Sequence, residues 1–89
     1  MIALILNIKG KVQGVGMRYF IRKRAIELGI SGYAKNLADG SVEALLIGDQ
    51  QKIQILIDKI KNESPGYVLS LSSKEAEVLN EYIGNFEIL

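Results

Sequence analysis

The chain contains no cysteine and no histidine among its 89 residues. The lack of cysteine excludes disulfides, thiolate nucleophiles and metal sites built on sulfur. The lack of histidine removes the one side chain that titrates near neutral pH when unperturbed, and it rules out a Ser-His-acid triad. Any hydrolytic mechanism must therefore find its base elsewhere or need none.

Long hydrophobic runs are also missing. The opening segment Met-Ile-Ala-Leu-Ile-Leu has no basic region before it and is too short for the apolar part of a signal peptide. No run approaches the length of a transmembrane helix. We therefore expect a cytoplasmic protein with no membrane partner, folded as a single domain over residues 1–89.

Charge is spread unevenly, although the net charge is only +1. Residues 1–36 carry a net charge of +6 and residues 37–89 a net charge of −5. A one-sided positive field raises the local concentration of anionic ligands. Nucleic acid is not the expected anion, because the predicted strands at 2–9 and 42–47 lack the aromatic residues that stack bases.

Apolar periodicity and turn residues predict two helices and five strands. Asp49 is the expected N-cap of the second helix, and Gly29 ends the first. Asp39 lies in an Asp-Gly hairpin turn, so we expect a structural role for it. The helices are predicted at residues 18–28 and 50–62, and the strands at 2–9, 30–37, 42–47, from 68 to 72 with a possible extension to 78, and 85–89.

The order of these elements predicts an α+β, ferredoxin-like split βαβ sandwich with a short C-terminal strand added. Each helix has one apolar stripe, so both are expected on one face of an antiparallel sheet. The other face of the sheet is expected to be more exposed to solvent.

The stretch Gly10–Phe20 joins the first strand to the first helix and holds three glycines. No Ser, Thr, Asp or Asn stands at the helix start to accept its free N–H groups. These donors, the positive end of the helix dipole and Arg18 in the first turn would converge on a space suited to a phosphate-sized anion. A tight turn without a ligand would also use glycines here.

Other phosphate motifs are excluded. The Gly-x-x-x-x-Gly-Lys-Ser/Thr pattern of P-loop nucleotidases is absent, and Tyr19 occupies the third glycine position of a dinucleotide fingerprint. No cluster of carboxylates stands near the loop in sequence, although metal ligation by carboxylates alone stays open, and no motif predicts a cofactor.

Residues 10–20, Gly-Lys-Val-Gln-Gly-Val-Gly-Met-Arg-Tyr-Phe, closely resemble the first signature of the acylphosphatase family. Its second signature is matched by residues 32–40, Gly-Tyr-Ala-Lys-Asn-Leu-Ala-Asp-Gly. Further matches at residues 42–43, 48, 64–66 and 86–88 extend the resemblance over nearly the whole chain.

This resemblance implies hydrolysis of a carboxyl–phosphate anhydride to a carboxylate and inorganic phosphate, without a metal. It implies that Arg18 binds the phosphoryl oxygens and that Asn36 holds the attacking water. The phosphate-binding loop it implies consists of Gln13, Gly14, Val15, Gly16, Met17 and Arg18.

The sequence departs from the family pattern at a few positions. Met17, Tyr33 and Ala34 replace the more usual phenylalanine, tryptophan and valine. Many relatives run a residue or two beyond the position of Leu89, so a terminal carboxylate that helps orient the arginine is expected to sit differently here.

Two alternatives keep the same fold. One is a non-catalytic domain that binds phosphate or another anion, or serves as an interaction module. The other is a domain like those at the head of multidomain maturation proteins that handle carbamoyl phosphate. We expect a monomer acting on a small acyl phosphate, with broad specificity for the acyl group.

Overall fold

The computed structural model describes residues 1–89 and arranges them as two α-helices against a five-stranded sheet. A one-turn 3₁₀ helix covers Asn80–Tyr82. The strands and helices are β1 (Ile2–Lys11), α1 (Met17–Glu27), β2 (Ser31–Asn36), β3 (Val42–Gly48), α2 (Gln50–Glu63), β4 (Tyr67–Glu75) and β5 (Phe86–Ile88).

The sheet has the strand order β4-β1-β3-β2-β5. The first four strands pair antiparallel, as the split βαβ arrangement predicts. The added C-terminal strand, whose direction was not predicted, pairs parallel with β2, so the sheet as a whole is mixed. Between β4 and β5 the chain crosses from one edge of the sheet to the other, so no hairpin fixes the direction of β5.

Both helices bury one face against the same side of the sheet, as predicted. The core there is a cluster of 16 buried residues, to which α1 contributes Met17, Ile21 and Ala25. The apolar spacing of α2 places Ile53, Leu56, Ile57 and Ile60 in this cluster. The complete or nearly complete burial of this whole cluster stabilises the fold through the hydrophobic effect.

The face of the sheet away from the helices is less exposed than expected. Ala3, Leu45 and Ile47 form a second, smaller apolar cluster there. Tyr33 and Tyr82 pack against it, with their ring centroids 5.2 Å apart. Tyr82 lies in the 3₁₀ helix, so the segment before β5 covers part of this face of the sheet.

The ends of the elements differ from the predictions by a few residues. Helix α1 begins one residue early at Met17, β1 continues to Lys11 beyond a bulge at Lys9/Gly10, and β4 ends at Glu75. Asp49 caps α2 as predicted, since its Oδ1 accepts hydrogen bonds from the N–H groups of Gln51 and Lys52 at 2.9 and 3.2 Å. Neither helix is long and apolar enough to cross a membrane.

Candidate active site

The loop between β1 and α1 turns on two glycines in the left-handed region, Gly14 at φ 73° and Gly16 at φ 88°. A residue with a Cβ would be strained at either position. No atom lies within 4 Å of the position that a Cβ would occupy on either glycine, so the space above the loop is open. No side chain caps α1 at Gly16, which leaves its first N–H groups available to a ligand.

This open space is part of a cleft of about 210 Å³. The cleft brings together Arg18, from the first turn of α1, and Asn36, the last residue of β2. The other residues that line it are Val12, Gly14, Gly16, Met17 and Tyr19. Four members of the predicted phosphate loop and the predicted water-binding residue therefore share one cleft.

Arg18 is held by the C-terminal segment. Its Nη1 donates a hydrogen bond to the main-chain oxygen of Leu89 at 3.0 Å. The N–H of Leu89 in turn donates to the carbonyl of Ala34 at 2.9 Å, in the strand that carries Asn36. Arg18 thus has an orienting partner at Leu89, and a guanidinium has four further N–H donors that can bind an anion.

Asn36 has a side chain that the fold does not use. Its Oδ1 is buried and accepts no hydrogen bond. An unpaired buried acceptor costs about 1–3 kcal/mol in ordinary packing, so such groups are rare in folded proteins. Because this oxygen has almost no accessible surface, a donor from the ligand could reach it only after the side chain turns toward the cleft that Asn36 lines.

Gln13 and Val15 belong to the predicted loop but do not line the cleft. The Nε2 of Gln13 donates to the carbonyl of Leu37 at 2.7 Å and to that of Ser41 at 3.0 Å. The side chain therefore ties the loop to the hairpin that follows Asn36. Val15 packs against the main core.

Two residues of the cleft were not singled out from the sequence. Val12 is buried in its wall, whereas Tyr19 is 62% exposed. The only sequence signal for Tyr19 was its position directly after Arg18, which does not reveal whether the residue faces the cleft. The contact of Leu89 with Arg18 likewise has no local signature.

The structural role expected for Asp39 is confirmed. Its Oδ1 accepts hydrogen bonds from the N–H and the hydroxyl of Ser41, at 2.9 and 2.6 Å. These bonds lower the pKa of the Asp39 carboxyl and fix the hairpin turn. Asp39 does not line the cleft. No group of three or more acidic side chains lies close enough together to hold a metal ion.

The geometry combines unpaired backbone donors, the positive end of a helix and a guanidinium around one small volume. Each of these features favours an anion, and a guanidinium can pair two phosphoryl oxygens at once. Asn36 lines the same cleft and adds an amide side chain whose oxygen has no partner in the fold. The arrangement can therefore bind a phosphoryl group beside a water.

Comparison with known proteins gives a consistent result. The family model described as Acylphosphatase matches residues 4–88. The chain is 53% identical to an acylphosphatase of Aeromonas salmonicida over 55 residues, which are 62% of this chain and 61% of that relative. It is 43% identical to an acylphosphatase of Archaeoglobus fulgidus over 81 residues, which are 90% of this chain and 91% of that one.

The fold is also similar to a solved structure. The acylphosphatase from Bacillus subtilis superimposes with a TM-score of 0.91 at 34% identity, over 100% of this chain and 99% of that one. The first alignment thus spans about three fifths of its relative, and the other two span nine tenths or more.

Proposed function

We propose that this chain, which belongs to the acylphosphatase family, hydrolyses acyl phosphates by holding the phosphoryl group between its glycine loop and Arg18 while Asn36 orients a water. The family and the fold both support acyl phosphate hydrolysis. No feature of the structure favours the non-catalytic alternative. The observation that carries the proposal is that Arg18 and the unpaired amide of Asn36 line one cleft.

In this proposal the phosphoryl oxygens are bound by Arg18 and by backbone N–H groups of residues 14–18. Phosphoryl transfer proceeds through a loose transition state, in which catalysis is mainly positioning and charge stabilisation. The contact with Leu89 holds the guanidinium in place before substrate arrives, so little ordering remains for the moment of reaction. A lysine would supply the charge but not the paired geometry.

Asn36 acts on the water. Its side chain turns toward the cleft so that Oδ1 accepts one O–H of the water, and this contact directs a lone pair of the water oxygen toward phosphorus. The water oxygen forms the new bond to phosphorus as the bond from phosphorus to the acyl oxygen breaks, and the carboxylate leaves with the electron pair. A phosphoryl oxygen accepts the proton of the water, so no histidine is needed.

The gain in rate from orienting the reactants is larger than the gain that a protein base would add. Well-oriented reactants reach effective molarities of roughly 10⁵–10⁸ M. General base catalysis contributes about 10²–10⁴-fold. Because a carboxylate is a good leaving group, the reaction also needs little acid catalysis.

The test is hydrolysis of acetyl phosphate in the presence of a chelator. We expect wild-type activity to persist with the chelator, Arg18→Ala to abolish it, and Asn36→Ala to lower kcat while inhibition by inorganic phosphate is largely kept. Asn62→Ala is the matched control, because it also removes an asparagine side chain, from an exposed position on α2 that does not line the cleft. Phosphate that raises the melting temperature without any turnover would instead favour a non-catalytic anion-binding domain.

The same proposal includes the domain organisation, the oligomeric state, the location and the partners of the protein. Residues 1–89 act as one acylphosphatase-like domain and as a monomer in the cytoplasm, with a small acyl phosphate as substrate and without nucleic acid, membrane, metal or cofactor. The unbroken core shared by both helices and the sheet supports the single domain. Size-exclusion chromatography with light scattering tests the monomer.

A further inference from the structure

The catalytic cleft is too small to enclose a substrate with a bulky acyl group. It measures about 210 Å³, whereas pockets that bury most of a ligand usually span roughly 300–1,000 Å³. The phosphoryl group and the water occupy the part between the glycine loop, Arg18 and Asn36. The acyl group of any substrate larger than an acetyl must therefore extend to the rim.

Tyr19 lies at the rim of the cleft, where the acyl group would extend. Ten large apolar residues of the chain are exposed, and Tyr19 is the only one of them that lines this cleft. Its ring is not paired with another aromatic ring, since the one such pair joins Tyr33 and Tyr82. It follows Arg18 in the first turn of α1, and both side chains line the same cleft.

We propose that Tyr19 is a specificity-determining residue that packs against the acyl group at the rim of the cleft and favours aromatic acyl phosphates over acetyl phosphate. This inference rests on the proposed function. An aromatic ring offers a flat apolar surface at little cost in conformational entropy, and a pair of rings gains about 0.5–1.5 kcal/mol beyond the area that it buries. That energy corresponds to a preference of about two- to tenfold.

The test compares kcat/KM for benzoyl phosphate and for acetyl phosphate. We expect Tyr19→Ala to lower the ratio of benzoyl to acetyl activity by about two- to tenfold, mainly through benzoyl phosphate. Tyr19→Phe should keep the wild-type ratio, because the ring and not the hydroxyl makes the contact. The side chain is 62% exposed, so neither variant should unfold the protein, and circular dichroism checks this.

Tyr67→Ala is the matched control, because Tyr67 is a tyrosine of equal exposure, 63%, that lies on β4 and does not line the cleft. Its ratio should equal that of the wild type. An unchanged ratio in Tyr19→Ala, equal losses on both substrates, or the same change in Tyr67→Ala would overturn the role of Tyr19 and leave acyl phosphate hydrolysis standing. A wild-type protein that hydrolyses neither substrate would overturn both proposals.

Discussion

At the scale of single residues, the side chains of the loop divide into two groups. Arg18 faces the cleft, whereas Gln13 turns away and bonds to the carbonyls of Leu37 and Ser41. These carbonyls belong to the hairpin directly after Asn36. We propose that Gln13 acts as a positioning residue, because it connects the proposed phosphate-binding loop to the residues that follow Asn36.

This connection predicts a specific kinetic defect. In Gln13→Ala the loop keeps its glycines and Arg18, so phosphate should still bind, but Asn36 is no longer held against the loop. A misplacement of about 1 Å can cost a hundredfold in rate, and we expect kcat to fall by about ten- to a hundredfold while KM changes little. Steady-state kinetics on an acyl phosphate measures both constants.

Asn7→Ala is the control for this prediction. Asn7 also donates an amide hydrogen bond to Ser41, to its Oγ at 3.1 Å, but it does not touch the loop. Its kcat should stay near the wild-type value. Similar losses in both variants would mean that any disturbance of the hairpin lowers turnover, and the specific role of Gln13 would be wrong.

The residues that the sequence identified were those with conformational or chemical signatures. Gly14 and Gly16 have positive φ angles. The start of α1 was recognised as uncapped because no Ser, Thr, Asp or Asn stands there. The direction of the Gln13 side chain was not predictable, because an amide can donate to any nearby carbonyl. Tyr19 was missed because its exposure at the cleft depends on how α1 is rotated against the sheet.

At the scale of elements, strands β2 and β3 share a polar contact across the sheet. The hydroxyl of Tyr33 donates to Glu43 Oε2 at 2.8 Å, and the Tyr33 ring packs against the smaller apolar cluster. Burial and then the hydrogen bond and the charge of Glu43 raise the pKa of Tyr33 from 10.0 to about 12. The phenolate is therefore less favoured in the folded than in the unfolded chain.

The sign of this shift predicts how stability depends on alkaline pH. A pKa raised by folding contributes stability that is complete below pH 10 and is lost as pH rises to about 12. We expect the free energy of unfolding to fall less steeply over this interval in Tyr33→Phe than in the wild type. Urea unfolding at a series of pH values measures this slope. Equal slopes in Tyr33→Phe and the wild type would contradict the prediction.

The helices and their packing were predictable because apolar spacing and caps are local signals. The spacing of Ile53, Leu56 and Ile57 placed one side of α2 in the core, and Asp49 marked its start. The direction of β5 was not predictable, since three residues carry no pattern that sets parallel or antiparallel pairing. The cover that Tyr82 gives to the second face was missed because the segment before β5 has no periodicity.

At the scale of the whole molecule, one core of 16 residues connects both helices to the sheet. A native protein has roughly 0.05–0.15 kcal/mol of stability per residue, which is on the order of 4–13 kcal/mol for this chain. The removal of one large core side chain is therefore a substantial fraction of the total.

Two adjacent positions on α2 test how much one buried side chain contributes to the stability. Leu56 is completely buried, and Leu56→Ala should lower the free energy of unfolding by about 2–5 kcal/mol through lost burial and a cavity. Ile55 is 44% exposed, and Ile55→Ala should change it by less than about 1 kcal/mol. Denaturant unfolding gives both values. Similar losses at the two positions would show that α2 does not bury the face that carries Leu56.

The hydrogen bond from Arg18 to Leu89 joins residues 71 positions apart in the chain. Such a contact cannot form within either half of the chain alone, because it requires the fold to bring the first helix and the last residue together. Arg18 therefore gains its hydrogen-bond partner only in the complete tertiary structure. Turnover recovered on refolding would report that complete structure, whereas a helical signal alone would not.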